Sequence, residues 1–116
     1  MMNFEQARKN MVDCQIHTNG VIDKRILNAF ETVPREKFVP SRLQNTAFND
    51  EDLRVAEGRY LLEPSVHARL IQALDLKPES VVLDIGGGTG YSAAILSSIA
   101  STVVVVESEQ SYLDRL

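Results

Sequence analysis

The chain has 116 residues, 44% hydrophobic and 24% charged, with a formal net charge of −4, a composition that bounds it to one ordinary globular domain. Its Lys and Arg residues are scattered among acids, which argues against a nucleic-acid surface, where phosphates call for clustered cations. No apolar run reaches the roughly 18 residues of a membrane span, the N-terminus MMNFEQARKNMVD lacks a secretory apolar stretch, and Cys14, the sole cysteine, rules out an internal disulfide and fits a reducing cytoplasm.

The first third reads as short helices. Phe4, Ala7, Met11 and Cys14 form an apolar stripe at helical spacing, closed by the turn signal Asn19-Gly20. Asp23 is placed to cap a second helix with Ile26, Leu27, Phe30 and Val33 on its buried face. Pro34 ends it, and "VPREKFVP" (33–40) reads as a turn or short helix between prolines. Residues 41–60 show no clean period, and the polar stretch 45–53 reads as a surface loop. A clearer helix begins near Pro64, a residue suited to a first turn, with Val66, Leu70, Ile71, Ala73 and Leu74 as its apolar face. Lys77-Pro78 stops it. A strand at 81–85, a glycine turn at 86–90, a helix from about 91, a strand at 102–107 and a helical start at 109 follow. Both strands are continuous apolar runs, as in a parallel sheet, and together with the helix make a βαβ unit.

The turn "DIGGGTGY" carries the strongest signal. A strand that delivers the chain to a helix N-terminus presents unpaired N–H groups to a ligand, and glycines let the backbone approach it. Gly86, Gly87, Gly88 and Gly90 give four in five positions, more than a purely structural turn needs. No Lys-Ser/Thr follows, which argues against a triphosphate loop. Gly86 and Gly88 match the dinucleotide fingerprint, but Tyr91 stands where its third glycine belongs. Asp84 would repel a pyrophosphate and attract an ammonium or sulfonium group. Glu107, nineteen residues after Gly88 at the end of the second strand, is placed to accept hydrogen bonds from ribose hydroxyls; Glu109 is a weaker substitute. Cys14 and His17 lack the partners of a metal or nucleophile site, so no metal is expected. His67 reads first as a partly exposed helix histidine, although it lies near the expected pocket.

The constellation L-D-I-G-G-G-T-G-Y-S-A-A followed by V-V-V-V-E resembles the cofactor motifs of S-adenosylmethionine-dependent methyltransferases. With "RILNAFETVPREKFVP" (25–40) and residues 50–96, the chain resembles the N-terminal half of the protein-L-isoaspartate O-methyltransferases. The resemblance implies an α/β, Rossmann-like class I methyltransferase fold with an N-terminal helical segment (1–60) and a first βαβ unit (61–116), truncated after the second parallel strand. It implies methyl transfer from S-adenosyl-L-methionine to the carboxylate of isoaspartyl residues in damaged proteins, with S-adenosylhomocysteine as product. Asp84, Gly86, Gly87, Gly88, Gly90 and Tyr91 would line the cofactor, and Glu107 would hold its ribose. The family's T-I-S-x-P segment here reads Tyr60-Leu61-Leu62-Glu63-Pro64, so Leu62 replaces a serine associated with the active site. Ala56 likewise replaces the first glycine of the preceding G-x-G element, while Gly58 keeps the second. Tyr60 and Ser65 are the nearby hydroxyls that stand in reach of the role.

Two parallel strands do not make a stable sheet by themselves. The expectation is a piece of a parent about twice as long, able to bind cofactor but not to turn over, or else a chain whose exposed strand edges pair with a second copy. Three functions stand: the methyltransferase; a divergent relative with another acceptor or none; and, disfavoured by Asp84 and Tyr91, a nicotinamide-dependent oxidoreductase.

Overall fold

In the computed structural model, which describes residues 2–114, side-chain caps open the first two helices. The Asn3 carboxamide oxygen accepts the Gln6 N–H at 3.1 Å to start α1 (Phe4–Met11). The Asp23 carboxylate accepts the Arg25 N–H at 2.9 Å to start α2 (Lys24–Thr32). Each satisfies a donor that a first helical turn leaves unpaired. After Met11 the chain widens into a π-helical turn, Val12–Ile16, then tightens through His17–Asn19 to a left-handed Gly20. The widening corrects the expected stripe: it rotates the buried face, so Met11, Val12 and Ile16 are buried while Cys14 is exposed.

α2 buries Ile26, Ala29 and Phe30 as its period predicts, and a 3-10 turn, Arg35–Phe38, fills the space between the prolines. The stretch expected as a surface loop departs from its reading. Ala47 and Phe48 are buried, and β1 (Leu53–Ala56) pairs antiparallel with β2 (Arg59–Leu61) across a turn at Glu57-Gly58. Strands of four and three residues are too short to display alternation, and the register slips between Arg54 and Ala56. The legible signal was Gly58, whose φ of +67° suits a hairpin turn.

α3 (Pro64–Ala73) starts on its proline, but its buried face is Pro64, Ser65, His67, Ala68 and Ile71. Of the face expected from apolar spacing, only Ile71 is buried, and Leu70 and Leu74 are 55% and 58% exposed. Phe30 explains the choice: its ring already fills the interface with α2, meeting the His67 ring edge-on at 5.5 Å. Flat and small side chains fit there where leucines would overpack. Gln72 ties α3 to the loop before α2, accepting the Ile22 N–H at 2.9 Å and donating to the Gly20 carbonyl at 3.1 Å.

β3 (Val81–Ile85) and β4 (Thr102–Val106) pair in parallel with α4 (Tyr91–Ser97) between them, and α5 (Gln110–Leu113) follows. One hydrophobic cluster joins Met11, Phe30 and Ile71 to Tyr91, Ile95 and Leu96, so α4 and the N-terminal helices cover the sheet face bearing Val82, Asp84, Val103 and Val105. Both faces of a parallel sheet are ordinarily covered. Here the opposite face is open, with Val81, Leu83, Ile85, Val104 and Val106 between 48% and 75% exposed. No helix among the described residues is long and apolar enough to cross a membrane.

This asymmetry sets an expected mutational contrast. In urea unfolding of the 116-residue chain, Phe30→Ala costs about 3–5 kcal/mol, while Leu83→Ser stays within about 0.5 kcal/mol. A comparable loss at Leu83 would mean that its face is covered in solution.

Candidate functional site

The parallel register places Val81 beside Thr102 and Ile85 beside Val106, so the chain leaves β3 and β4 at the same end of the sheet, where open α/β sheets bind ligands. The Gly86 N–H continues the ladder to the Val106 carbonyl at 2.6 Å. Gly87 then passes so close to β4 that a Cβ would run into the Val105 side chain. Gly88 has a φ of +57°, a left-handed conformation costly to a residue with a side chain. It turns its N–H onto Glu107 Oε1 at 2.8 Å, while the Glu109 N–H reaches Oε2 at 2.8 Å. Arg59 of β2 completes the set with an ion pair from Nη2 to Oε1. The Glu109 and Gly88 amides, and after them Arg59, hold the Glu107 carboxyl below the usual range against the opposing effect of burial.

Asp84 lies on the covered face of β3. Burial pushes its carboxyl up, Glu107 adds to the effect and the Ser92 hydroxyl partly opposes it. Its Oδ2 is buried without a hydrogen-bond partner, so among the described residues this oxygen has no donor or cation of its own. A cavity of about 230 Å³ runs between the hairpin and the turn, lined by Arg59, Leu62, His67, Asp84, Gly86–Gly88 and Ser92.

The structure thus brings Asp84, Gly86, Gly87 and Gly88 together around one cavity, with Leu62 opposite and Glu107 at its edge. Two expected residues stand apart. Gly90 is the N-cap of α4 and does not line this cavity. Tyr91 is fully buried; its ring meets Phe30, Phe38 and His67 edge-on at 5.5–6.1 Å. It forms the floor beneath the site instead of facing a ligand, because the helix starting at Gly90 turns its first residue inward. Of the two substitute hydroxyls, Ser65 is engaged by Asp50 at 2.9 Å, whereas Tyr60 is 61% exposed and borders the cavity.

Sequence reading missed Arg59, Ser92 and the burial of His67. His67 is 6% exposed, with Nε2 at 3.3 Å from Ser92 Oγ; its position one turn into a helix that begins at the cavity was the available signal. Arg35 is another hidden polar group. Its Nε donates to the Ala47 carbonyl at 2.5 Å and its Nη2 to the Leu62 carbonyl at 3.0 Å. Its guanidinium also stacks 5.0 Å from the Tyr91 ring centroid. It therefore pins the cavity wall at Leu62 to the helical layer.

The donor set fits the expected cofactor. An orphaned anionic oxygen suits a cationic group, a carboxylate ending the adjacent strand suits a diol, and the Gly87 backbone lies bare.

Comparison with known proteins follows the same lines. The profile of the family described as protein-L-isoaspartate(D-aspartate) O-methyltransferase matches residues 6–113. A protein-L-isoaspartate O-methyltransferase 2 of Marinobacter nauticus is 43% identical over 105 residues, which are 90% of this chain and 48% of the relative. A protein-L-isoaspartate O-methyltransferase of Koribacter versatilis is 37% identical over 107 residues, 92% of this chain and 48% of the relative. The chain thus spans about half the length of the curated relatives it matches. A solved protein-L-isoaspartate O-methyltransferase superimposes with a TM-score of 0.77 at 29% identity, covering 93% of this chain and 36% of that one. A Plasmodium falciparum structure of the same description, in complex with S-adenosyl-L-homocysteine, shares the fold with a TM-score of 0.68 at 22% identity, covering 99% and 53%.

Two measurements test this geometry. Gly87→Ala should destabilise the chain by about 1–3 kcal/mol through overpacking, and adding Val105→Ala should return part of that loss in urea unfolding. Burial, and then the Arg35 charge, pull His67 down to about 4 from 6.5. The unfolded chain therefore binds the extra proton between those values, so this contribution is full above pH 6.5 and is lost as pH falls toward 4. His67→Leu should flatten the stability profile across that window, by on the order of 3 kcal/mol.

Proposed function

The chain belongs to the protein-L-isoaspartate(D-aspartate) O-methyltransferase family, and from that membership we propose that its cavity binds S-adenosyl-L-methionine within a protein that methylates isoaspartyl carboxylates. The observation that carries the reading is the buried, unpartnered Oδ2 of Asp84 beside the glycine turn. A pyrophosphate would meet repulsion there, whereas a cationic amino-acid end would meet its counter-charge.

When bound, S-adenosyl-L-methionine supplies an electrophilic methyl group on a sulfonium. The chain's own residues position and desolvate. Gly86–Gly88 bring bare backbone to the ligand, Asp84 orients its cationic end, and Glu107, held as an anion by two amides, accepts from the ribose hydroxyls. An isoaspartyl carboxylate is already ionised near neutral pH, so no general base is needed. His67 agrees with that: held neutral and turned toward Ser92, it shapes the cavity and contributes no charge. Catalysis then rests on alignment and water exclusion, with residues 1–60 as the helical layer that closes the site and 61–116 as the cofactor-binding unit. S-adenosylhomocysteine is the product. The setting is cytoplasmic, the partner is a damaged protein, and neither nucleic acid nor membrane takes part.

Leu62 favours a second reading. It stands where the family carries a serine, is 39% exposed and has no hydroxyl to hold an acceptor carboxylate, so a relative with another acceptor or none uses the same cofactor site. The open sheet face adds a proposal of self-association through exposed strand edges, which sedimentation of the chain would reveal as a species above monomer mass.

Calorimetric titration with S-adenosylhomocysteine and NAD in parallel tests the main reading. Binding of the first and not the second is expected, and Asp84→Asn should weaken it about tenfold, the effect of losing one favourable charge contact of ~1.4 kcal/mol. Preference for NAD would overturn the assignment. A full-length parent that binds cofactor but leaves an isoaspartyl peptide unmethylated would favour the second reading.

A further inference from the structure

Arg59 is the one charged residue of the cavity wall with no part in the cofactor reading. Its Nη2 pairs with Glu107 Oε1, the oxygen that also accepts the Gly88 N–H, while the Glu109 N–H holds Oε2. The Glu107 side chain is 0% exposed as a result. A ribose hydroxyl has no path to that carboxylate while the guanidinium lies over it. The Arg59 side chain itself remains 28% exposed, so withdrawal costs the pairing but little buried surface. It sits directly after Gly58, at the tip of a hairpin whose strands are only four and three residues long and whose register already slips. Such a short ladder deforms easily.

The surroundings point the same way. The cavity of about 230 Å³ is smaller than the roughly 300–1,000 Å³ common for small-molecule sites. A second cavity of about 570 Å³ adjoins it, lined by Lys37, Phe38, Val39, Pro40, Ser41 and Tyr112, with Val55 and Thr89 bordering both. Arg59 stands in the partition, its guanidinium 5.1 Å from the Tyr112 ring centroid on the side of the second cavity.

We propose that Arg59 is a latch on the nucleoside site: in the conformation described it occupies the hydrogen-bonding place of the ribose hydroxyls on Glu107, and a nucleoside ligand binds only once the hairpin tip carries it away, which joins the two cavities. The latch rests on the reading that Glu107 holds the ribose. Every ligand then binds against a closed fraction, and its apparent affinity falls by the open population.

The experiment is titration of the protein with S-adenosylhomocysteine for the wild type, Arg59→Gln, Arg59→Lys and Glu107→Gln. Arg59→Gln is expected to bind about tenfold more tightly than wild type, as a closed-to-open ratio near ten requires. Arg59→Lys, which retains the charge, stays near wild type. Equal or weaker binding by Arg59→Gln overturns the latch, and weaker binding makes Arg59 a ligand contact. If Glu107→Gln still binds weakly in that case, the ribose reading survives alone. Added to Arg59→Gln, where no latch remains, Glu107→Gln is expected to weaken binding; no loss in that background overturns the ribose reading and the latch together.

Discussion

The in-register parallel pairing of β3 with β4 is the constraint from which the site follows, because it forces two chain segments nineteen residues apart to leave the sheet side by side. Gly86 extends that ladder by one bond and Gly88 then turns its amide onto Glu107. Two carboxylates end up close enough to feel one another, yet their environments separate them. Glu107 is surrounded by donors and held as an anion, while Asp84 is half-buried, short of donors and pushed the other way. One is a committed acceptor and the other is a charge in want of a partner. The proposed ligand, with a diol at one end and a cation at the other, would call for that division of labour.

Beneath the turn lies an aromatic floor made by Phe30, Phe38, His67 and Tyr91. These four come from four separate stretches of the chain, so the helical layer and the βαβ unit share one packed surface under the cavity. Edge-to-face contacts of this kind add directionality to burial. They keep the His67 ring oriented with Nε2 toward Ser92, which a purely aliphatic floor would not do.

Much of this was readable in the residues, and what was not has identifiable causes. The placement of the glycine turn, Asp84 and Glu107 was legible because it depends on backbone freedom and on positions at strand ends, both written locally. The cap at Asp23 and the start at Pro64 were legible for the same reason. The α3 face was not: spacing alone favoured Leu70 and Leu74, but Phe30, more than thirty residues earlier, decides which side of the helix fits. Cys14 was misplaced because nothing in its neighbours announces a π-helical turn. Tyr91 was placed on the ligand because its position in the motif says nothing of which way the first residue of α4 points. The hairpin bearing Arg59 escaped because its strands are shorter than the period used to find strands.

Arg35 binds the cavity wall through the carbonyl oxygens of Ala47 and Leu62, and through no side chain of either residue. An anchor of this kind is blind to what it anchors. Residue 62 can exchange a hydroxyl for a hydrocarbon without moving the main chain that carries it, so in the proposed site the wall toward the acceptor can change while the glycine turn beside it stays put. That independence would allow descendants of one fold to change what they modify before they change what they modify it with.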